Sequence, residues 1–388
     1  MLKLVSILLH ISVVLSAQSN VLQFENLGFD GTYWSVASMK DLYSDKCTCE
    51  LDDDKTSFSG TNAPLNEEVS VHFRGPLVLN KFAYYVSSSF AIDGDDNQDW
   101  ERLSYYDSSS QTSENVTFLT KAGKNSTCLG VGLTYADTDG ISKSDSSQIL
   151  AEDTLIKSEE EFVIFSNISC GSSKVGGDCQ VYRDDIPAYH GFYGTTKMFL
   201  FEFKMPEEDS VEKGSVYNWN MPAIWLLNAQ IPRTSQYSLN SNCSCWASGC
   251  GEFDIFEVKN YTDSDVDKLF ATIHDYQGTG YINEGIQIDS YIERNYDETM
   301  KGGVVFDNDG NAIVFVSNST TFDQSIGADD INSVIKALGS ASTLELSSVE
   351  PVSTSTAGGS SASSSKDSSG SIANVSTWMI TLFTFLLF

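Results

Sequence analysis

Three carboxylates crowd into one short stretch, Gly251-Glu252-Phe253-Asp254-Ile255-Phe256-Glu257-Val258. In a regular strand side chains alternate, so Glu252 and Asp254 share one face while Phe253 and Ile255 share the other. Unbroken alternation would put Phe256 with the acids and bury Glu257 in the core. A one-residue β-bulge at Ile255-Phe256 reverses the parity, returning Glu257 to the acidic face and both bulky residues to the apolar side. Like charges this close repel, and the row is tolerable when at least one group keeps its proton. Glycosidases require that condition: one carboxylate attacks the anomeric carbon while a second, protonated, gives its proton to the leaving oxygen. A solvated acidic strand edge would show the same bare pattern, so the flanking residues must decide.

Several aromatic and imidazole groups fall near this segment. Trp246, in a cysteine-bounded polar loop, suits a wall against which a sugar ring stacks, and Trp219 is a further candidate. Trp225, inside the apolar run Ala223-Ile224-Trp225-Leu226-Leu227, reads as core. His274, in Ala271-Thr272-Ile273-His274, fits either a hydrogen-bonded structural residue or a substrate contact. Gly-x-Ser-x-Gly, His-Glu-x-x-His and phosphate-cradling Gly-Lys-Ser/Thr motifs are absent from the sequence, which argues against serine hydrolase, zinc protease and nucleotide chemistry.

The elements that would position these groups are strand-like nearly throughout. Val69–Phe73, Phe82–Val86, Phe162–Phe165, Phe199–Phe203 and Ile313–Val316 are short, β-branched or aromatic, and bounded by Gly, Asn, Asp or Ser. The best helical stretch, Asp330 to Leu338, is about two turns long. An all-β sandwich is the expected fold class, with polar segments 40–66 and 93–115 as loops.

Upstream of the acids the order is Tyr193-Gly194, a strand ending in Lys204-Met205-Pro206, then Pro222-Ala223-Ile224-Trp225-Leu226-Leu227. This resembles glycoside hydrolase family 16, and the resemblance covers about Tyr193 to Val316. It implies a jelly-roll, concanavalin-like sandwich with Glu252 as nucleophile, Asp254 as assisting carboxylate, Glu257 as acid/base, and His274 on a strand beside the cleft. The run Cys243-Ser244-Cys245-Trp246-Ala247-Ser248-Gly249-Cys250 leading into Gly251-Glu252 is similar to a fungal family of cell-wall proteins described as circularly permuted β-1,3-glucanases. Permutation would account for one departure: after Val316 the closing strands of family 16 are missing, and Lys81–Val86 is similar to that family's usual last strand. The resemblance implies a retaining endo-β-1,3-glucanase or transglycosidase remodelling wall glucan. A non-catalytic glucan-binding or structural wall protein on the same sandwich is the alternative.

Residues 1–17 read as a secretory signal peptide. Residues 340–371 hold 14 Ser and 3 Thr, and the apolar end 378–388 is too short to span a bilayer as a helix. A stalk at 336–371 and a GPI-anchor signal at 372–388 follow, so that a lipid would tie the protein to the outer face of the plasma membrane or to the wall. Between them, 18–180 is expected to complete the sandwich and 181–335 to hold the catalytic core. Sequons begin at Asn115, Asn125, Asn167, Asn242, Asn260, Asn318 and Asn374. Eight cysteines in a secreted chain read as disulfide partners, with 105 connectivities open; their spacing and the few histidines fit no zinc site, and neither metal nor cofactor is expected. The net charge of −30 repels phosphate backbones and excludes nucleic acid as a partner. Wall glucan and the anchoring lipid are the expected partners of a monomer.

Overall fold

The computed structural model describes residues 16–236, 240–261 and 264–349. Two ten-stranded sheets face each other. The path of the first runs Ser325–Ile326, Trp100–Asp107, Leu77–Val86, Lys197–Lys204, Met300–Phe306, Ala312–Val316, Val21–Glu25, Ser342–Glu345. That of the second runs Lys143–Ser144, Thr134–Ala136, Thr117–Thr120, Glu161–Phe165, Val69–Arg74, Ala223–Asn228, Glu252–Glu257, Lys268–His274, Ile286–Gln287. The expected all-β sandwich is what forms.

One core fills the gap between the sheets, built from alternate residues of facing strands. Phe253 of the acid-bearing strand meets Phe24 and Phe306 of the opposite sheet edge-on, at ring separations of 5.4 and 5.8 Å, and Phe256 meets Phe203 at 5.2 Å. Burying rings of this size is worth about 3–5 kcal/mol each when judged by truncation to Ala, so these contacts fix how the acid strand is rotated.

Strands from the first hundred residues lie inside both sheets. Val69–Arg74 pairs on one side with Glu161–Phe165 and on the other with Ala223–Asn228. Leu77–Val86, which contains the segment similar to a closing strand, pairs with Lys197–Lys204 and Trp100–Asp107.

Three features depart from the sequence expectations. Trp100–Asp107, inside a polar segment read as loop, is an eight-residue strand; it buries Trp100 in the apolar cluster on the outer face of the first sheet and Tyr106 in the core between the sheets, leaving Glu101 and Leu103 exposed. Within 40–66, Thr48–Leu51 and Thr56–Phe58 also form short strands. Ser342–Glu345, in the Ser-rich stretch, pairs in parallel with Val21–Glu25 because Leu344 and Leu346 reach the core. The helix forms at Ala328–Ala337 and lays Ile331 and Ile335 on the outer face of the first sheet, over Tyr85, Met198 and Phe315. The signal segment up to residue 15 and the stalk and tail from residue 350 lie outside the described residues.

The cysteines pair as Cys47–Cys128, Cys49–Cys243, Cys170–Cys179 and Cys245–Cys250. The second of these spans 194 residues and ties the N-terminal region to the loop that precedes the acids.

Candidate active site

The acid strand is bulged. Against Ala223–Asn228 its register runs Glu257 to Ala223, Phe256 to Ile224, then Asp254 to Trp225, leaving Ile255 without a partner; the other neighbour shows the same shift between Asp254 and Glu257. Phe253, Ile255 and Phe256 all belong to the core between the sheets. Glu252 and Asp254 are 5% and 6% exposed, and Glu257 is partly exposed. Three carboxylates therefore share the outer face of one strand, with the apolar residues on the other.

Each carboxylate has its own partner. The Trp246 indole N–H donates to Glu252 Oε2, which leaves that oxygen an acceptor. His274 Nε2 lies 3.1 Å from Asp254 Oδ2 and its Nδ1 lies 2.7 Å from the Ile282 carbonyl oxygen. Both partners are acceptors, so both ring nitrogens must donate and the imidazole is charged. Burial opposes that charge, but the hydrogen bond and charge of Asp254, the charge of Glu252 and the Ile282 carbonyl outweigh it and push His274 up to about 10. Arg74 Nη2 sits 3.2 Å from Glu257 Oε1 while its Nε donates to the Met221 carbonyl. Burial and then the Asp254 charge raise the Glu257 carboxyl above the ordinary carboxylate range, against the pull of Arg74 and Lys259. The row thus holds a carboxyl suited to giving a proton beside a carboxylate whose oxygen is held as an acceptor.

The fold gathers Glu252, Asp254, Glu257, Trp246 and His274, with the Trp246 and His274 rings 6.1 Å apart. Trp219 is buried, its indole N–H donates to the Val211 carbonyl, and its ring meets Tyr261 edge-on. Asn115, Asn125, Asn167, Asn242, Asn260 and Asn318 are all exposed, and Asn374 lies outside the described residues.

Sequence reasoning missed Arg74, His72 and Trp225. Trp225 is buried as expected, but on the acid side: it faces Asp254 across the strand pair and stacks on His72 at 5.0 Å. Its Nε1 and Thr272 Oγ1, on either side of Asp254, have no hydrogen-bond partner among the described residues. The alternation Ser70, His72, Arg74 against Val69, Val71, Phe73 carried the signal for the first two, since it marks a strand with one polar face.

Three comparisons bear on this site. The model of the C-terminal domain of cell wall protein YJL171C/Tos1 matches residues 98–334, and that of its N-terminal domain matches residues 20–87. A Candida albicans protein named "Probable circularly permuted 1,3-beta-glucanase PGA52" is 62% identical over 336 residues, 87% of each chain. "Probable circularly permuted 1,3-beta-glucanase YJL171C" of Saccharomyces cerevisiae is 50% identical over 319 residues, 82% of this chain and 80% of its own. A third, TOS1 of Saccharomyces cerevisiae, is 31% identical over 84% of this chain and 92% of its own. No solved structure matches. With both family models in chain order across the two sheets and the acid row inside the larger match, the chain belongs to the YJL171C/Tos1 family of cell wall proteins.

Proposed function

We propose that the protein is a retaining endo-β-1,3-glucanase, acting as hydrolase or transglycosidase on wall glucan. The observation that carries the reading is the bulge that turns Glu252, Asp254 and Glu257 to one face. Glu252 attacks the anomeric carbon; Glu257, its proton held by burial and by Asp254, protonates the departing glycosidic oxygen and then, as carboxylate, activates water or a sugar hydroxyl. Asp254 keeps Glu257 protonated and His274 charged. Trp246 orients the nucleophile and walls the adjacent sugar site. The names borne by the relatives support the substrate class. The same proposal ties the enzyme to the wall or membrane through a GPI lipid added upstream of residues 378–388; a mature protein still containing Phe388 would refute that part.

The test is incubation of purified protein with laminarin, following reducing ends, product sizes and the anomer first released. Net β-anomer, appearing as shortened or rearranged β-1,3-oligosaccharides, is expected. Tight glucan binding without cleavage or transfer would instead assign the face to wall attachment.

A further inference from the structure

Of the large apolar side chains exposed to solvent, Leu103, Ile168 and Tyr193, which are 40%, 61% and 70% exposed, lie around one concavity. It measures about 480 Å³. Buried Phe192 and Tyr84 also contribute to its lining. Apolar surface gathered this way marks a surface that something covers.

Two further lining residues say what covers it. Asn115 and Asn167 are both exposed, both line the concavity, and both begin sequons, Asn-Val-Thr and Asn-Ile-Ser. Asn115 holds a left-handed backbone (φ 52°) and donates one Nδ2 hydrogen to the Leu103 carbonyl at 2.7 Å. Its amide is thereby laid along the rim, with the other hydrogen left for substitution.

We propose that N-linked oligosaccharides on Asn115 and Asn167 seat their first sugars in this concavity, against Tyr193, Ile168 and Leu103. In the attachment Nδ2 loses a hydrogen and bonds to C1 of the sugar, while the C1–oxygen bond to a lipid-linked diphosphate donor breaks and the diphosphate leaves. The four disulfides place the chain in an oxidising route where such transfer occurs. The C–H face of an N-acetylhexosamine and its acetyl methyl cover aromatic and aliphatic surface, while its hydroxyls stay in water. A protein partner is disfavoured, because two bulky glycans rooted on the rim would stand in its way.

The test uses the full chain secreted from a yeast host, with glycopeptide masses read at both asparagines. Melting temperatures are compared for the natural protein and Tyr193→Ser, each intact and after an amidase has stripped the N-glycans from the folded protein. Stripping folded protein avoids Asn115→Gln, which would strain a left-handed backbone and could fail to fold. Both asparagines should carry sugar. Tyr193→Ser should lower the melting temperature by about 2–4 °C in the intact form and leave the stripped form unchanged. An unmodified Asn115 or Asn167, or an equal effect of Tyr193→Ser in both forms, would overturn the proposal.

Discussion

Replacing Asp254 with Asn keeps the shape of the side chain and an acceptor oxygen for His274 while removing one charge from the row. Asp254 and Glu257 are same-face neighbours across the bulge, about 7 Å apart by strand geometry. At an effective dielectric constant of about 20, two unit charges at that separation interact by about 2 kcal/mol, equivalent to roughly one to two pH units. Loss of the Asp254 charge eases ionisation of Glu257, so its carboxyl falls toward the ordinary range. Arg74 already offsets part of the repulsion, so the basic limb of kcat/KM against pH should move down by about one unit. His274 loses the partner that does most to hold its proton, and its titration should fall from about 10 toward neutrality. The pH profile on laminarin reads the first effect, and imidazole nitrogen shifts followed by NMR read the second. A basic limb that stays in place or moves up would refute the claim that Asp254 holds the Glu257 proton. A His274 titration unchanged by the substitution would refute the charge assignment of that pair.

Glu252→Gln should lower glucan cleavage by roughly 10³-fold or more with the fold intact by circular dichroism, as expected of a lost nucleophile. Glu257→Gln should cripple cleavage of glucan but spare an aryl glycoside whose leaving group needs little protonation; equal losses on both substrates would contradict its role as acid. Because His274 binds its proton more tightly folded than unfolded, the stability it contributes is present below about pH 6.5 and is lost as pH rises toward 10. The stability difference between natural protein and His274→Asn, from urea melts, should therefore shrink by several kcal/mol across that window, and a difference that grows would reverse the assignment. Residues 181–349 expressed alone should fail to give a cooperative melt, since removal of Val69–Arg74 and Leu77–Val86 strips strands from inside both sheets.

The acid face was legible because the pattern allowed only one resolution: Phe256 and Glu257 are adjacent, one must be buried and the other must not, and a bulge at Ile255-Phe256 satisfies both. The short aromatic strands were legible for the same reason, each alternating or bounded by turn residues. Trp225 was not, because Ile224, Trp225 and Leu226 are apolar on both faces of their strand, and nothing local says that one of those faces is roofed by His72 and the cysteine loop. Trp100–Asp107 was hidden by its composition, since Glu101, Arg102, Ser104 and Asp107 make half of its eight residues polar, although Ser104 and Asp107 are buried. The disulfides depend on which loops meet in space, and the sequence order of eight cysteines carries no such information.

Arg74 shows how far the site depends on residues outside the acid strand's own neighbours. Its strand does not pair with the acid strand; Ala223–Asn228 runs between them, and in register Arg74 faces Ala223, which faces Glu257. The guanidinium still comes within 3.2 Å of the Glu257 carboxyl, because the intervening side chain is a single methyl group. A larger residue at 223 would occupy the path the guanidinium takes. With Arg74 on one end of the row and charged His274 on the other, the two cations stand beside Glu257 and Asp254, and Trp246 holds an oxygen of Glu252 as an acceptor. Burial and Asp254 then leave Glu257 as the member that gains a proton most easily. The segment before residue 180 therefore supplies a charge to the site as well as strands to the sandwich, which is a chemical reason, beside the topological one, for the two halves of this chain to fold as one.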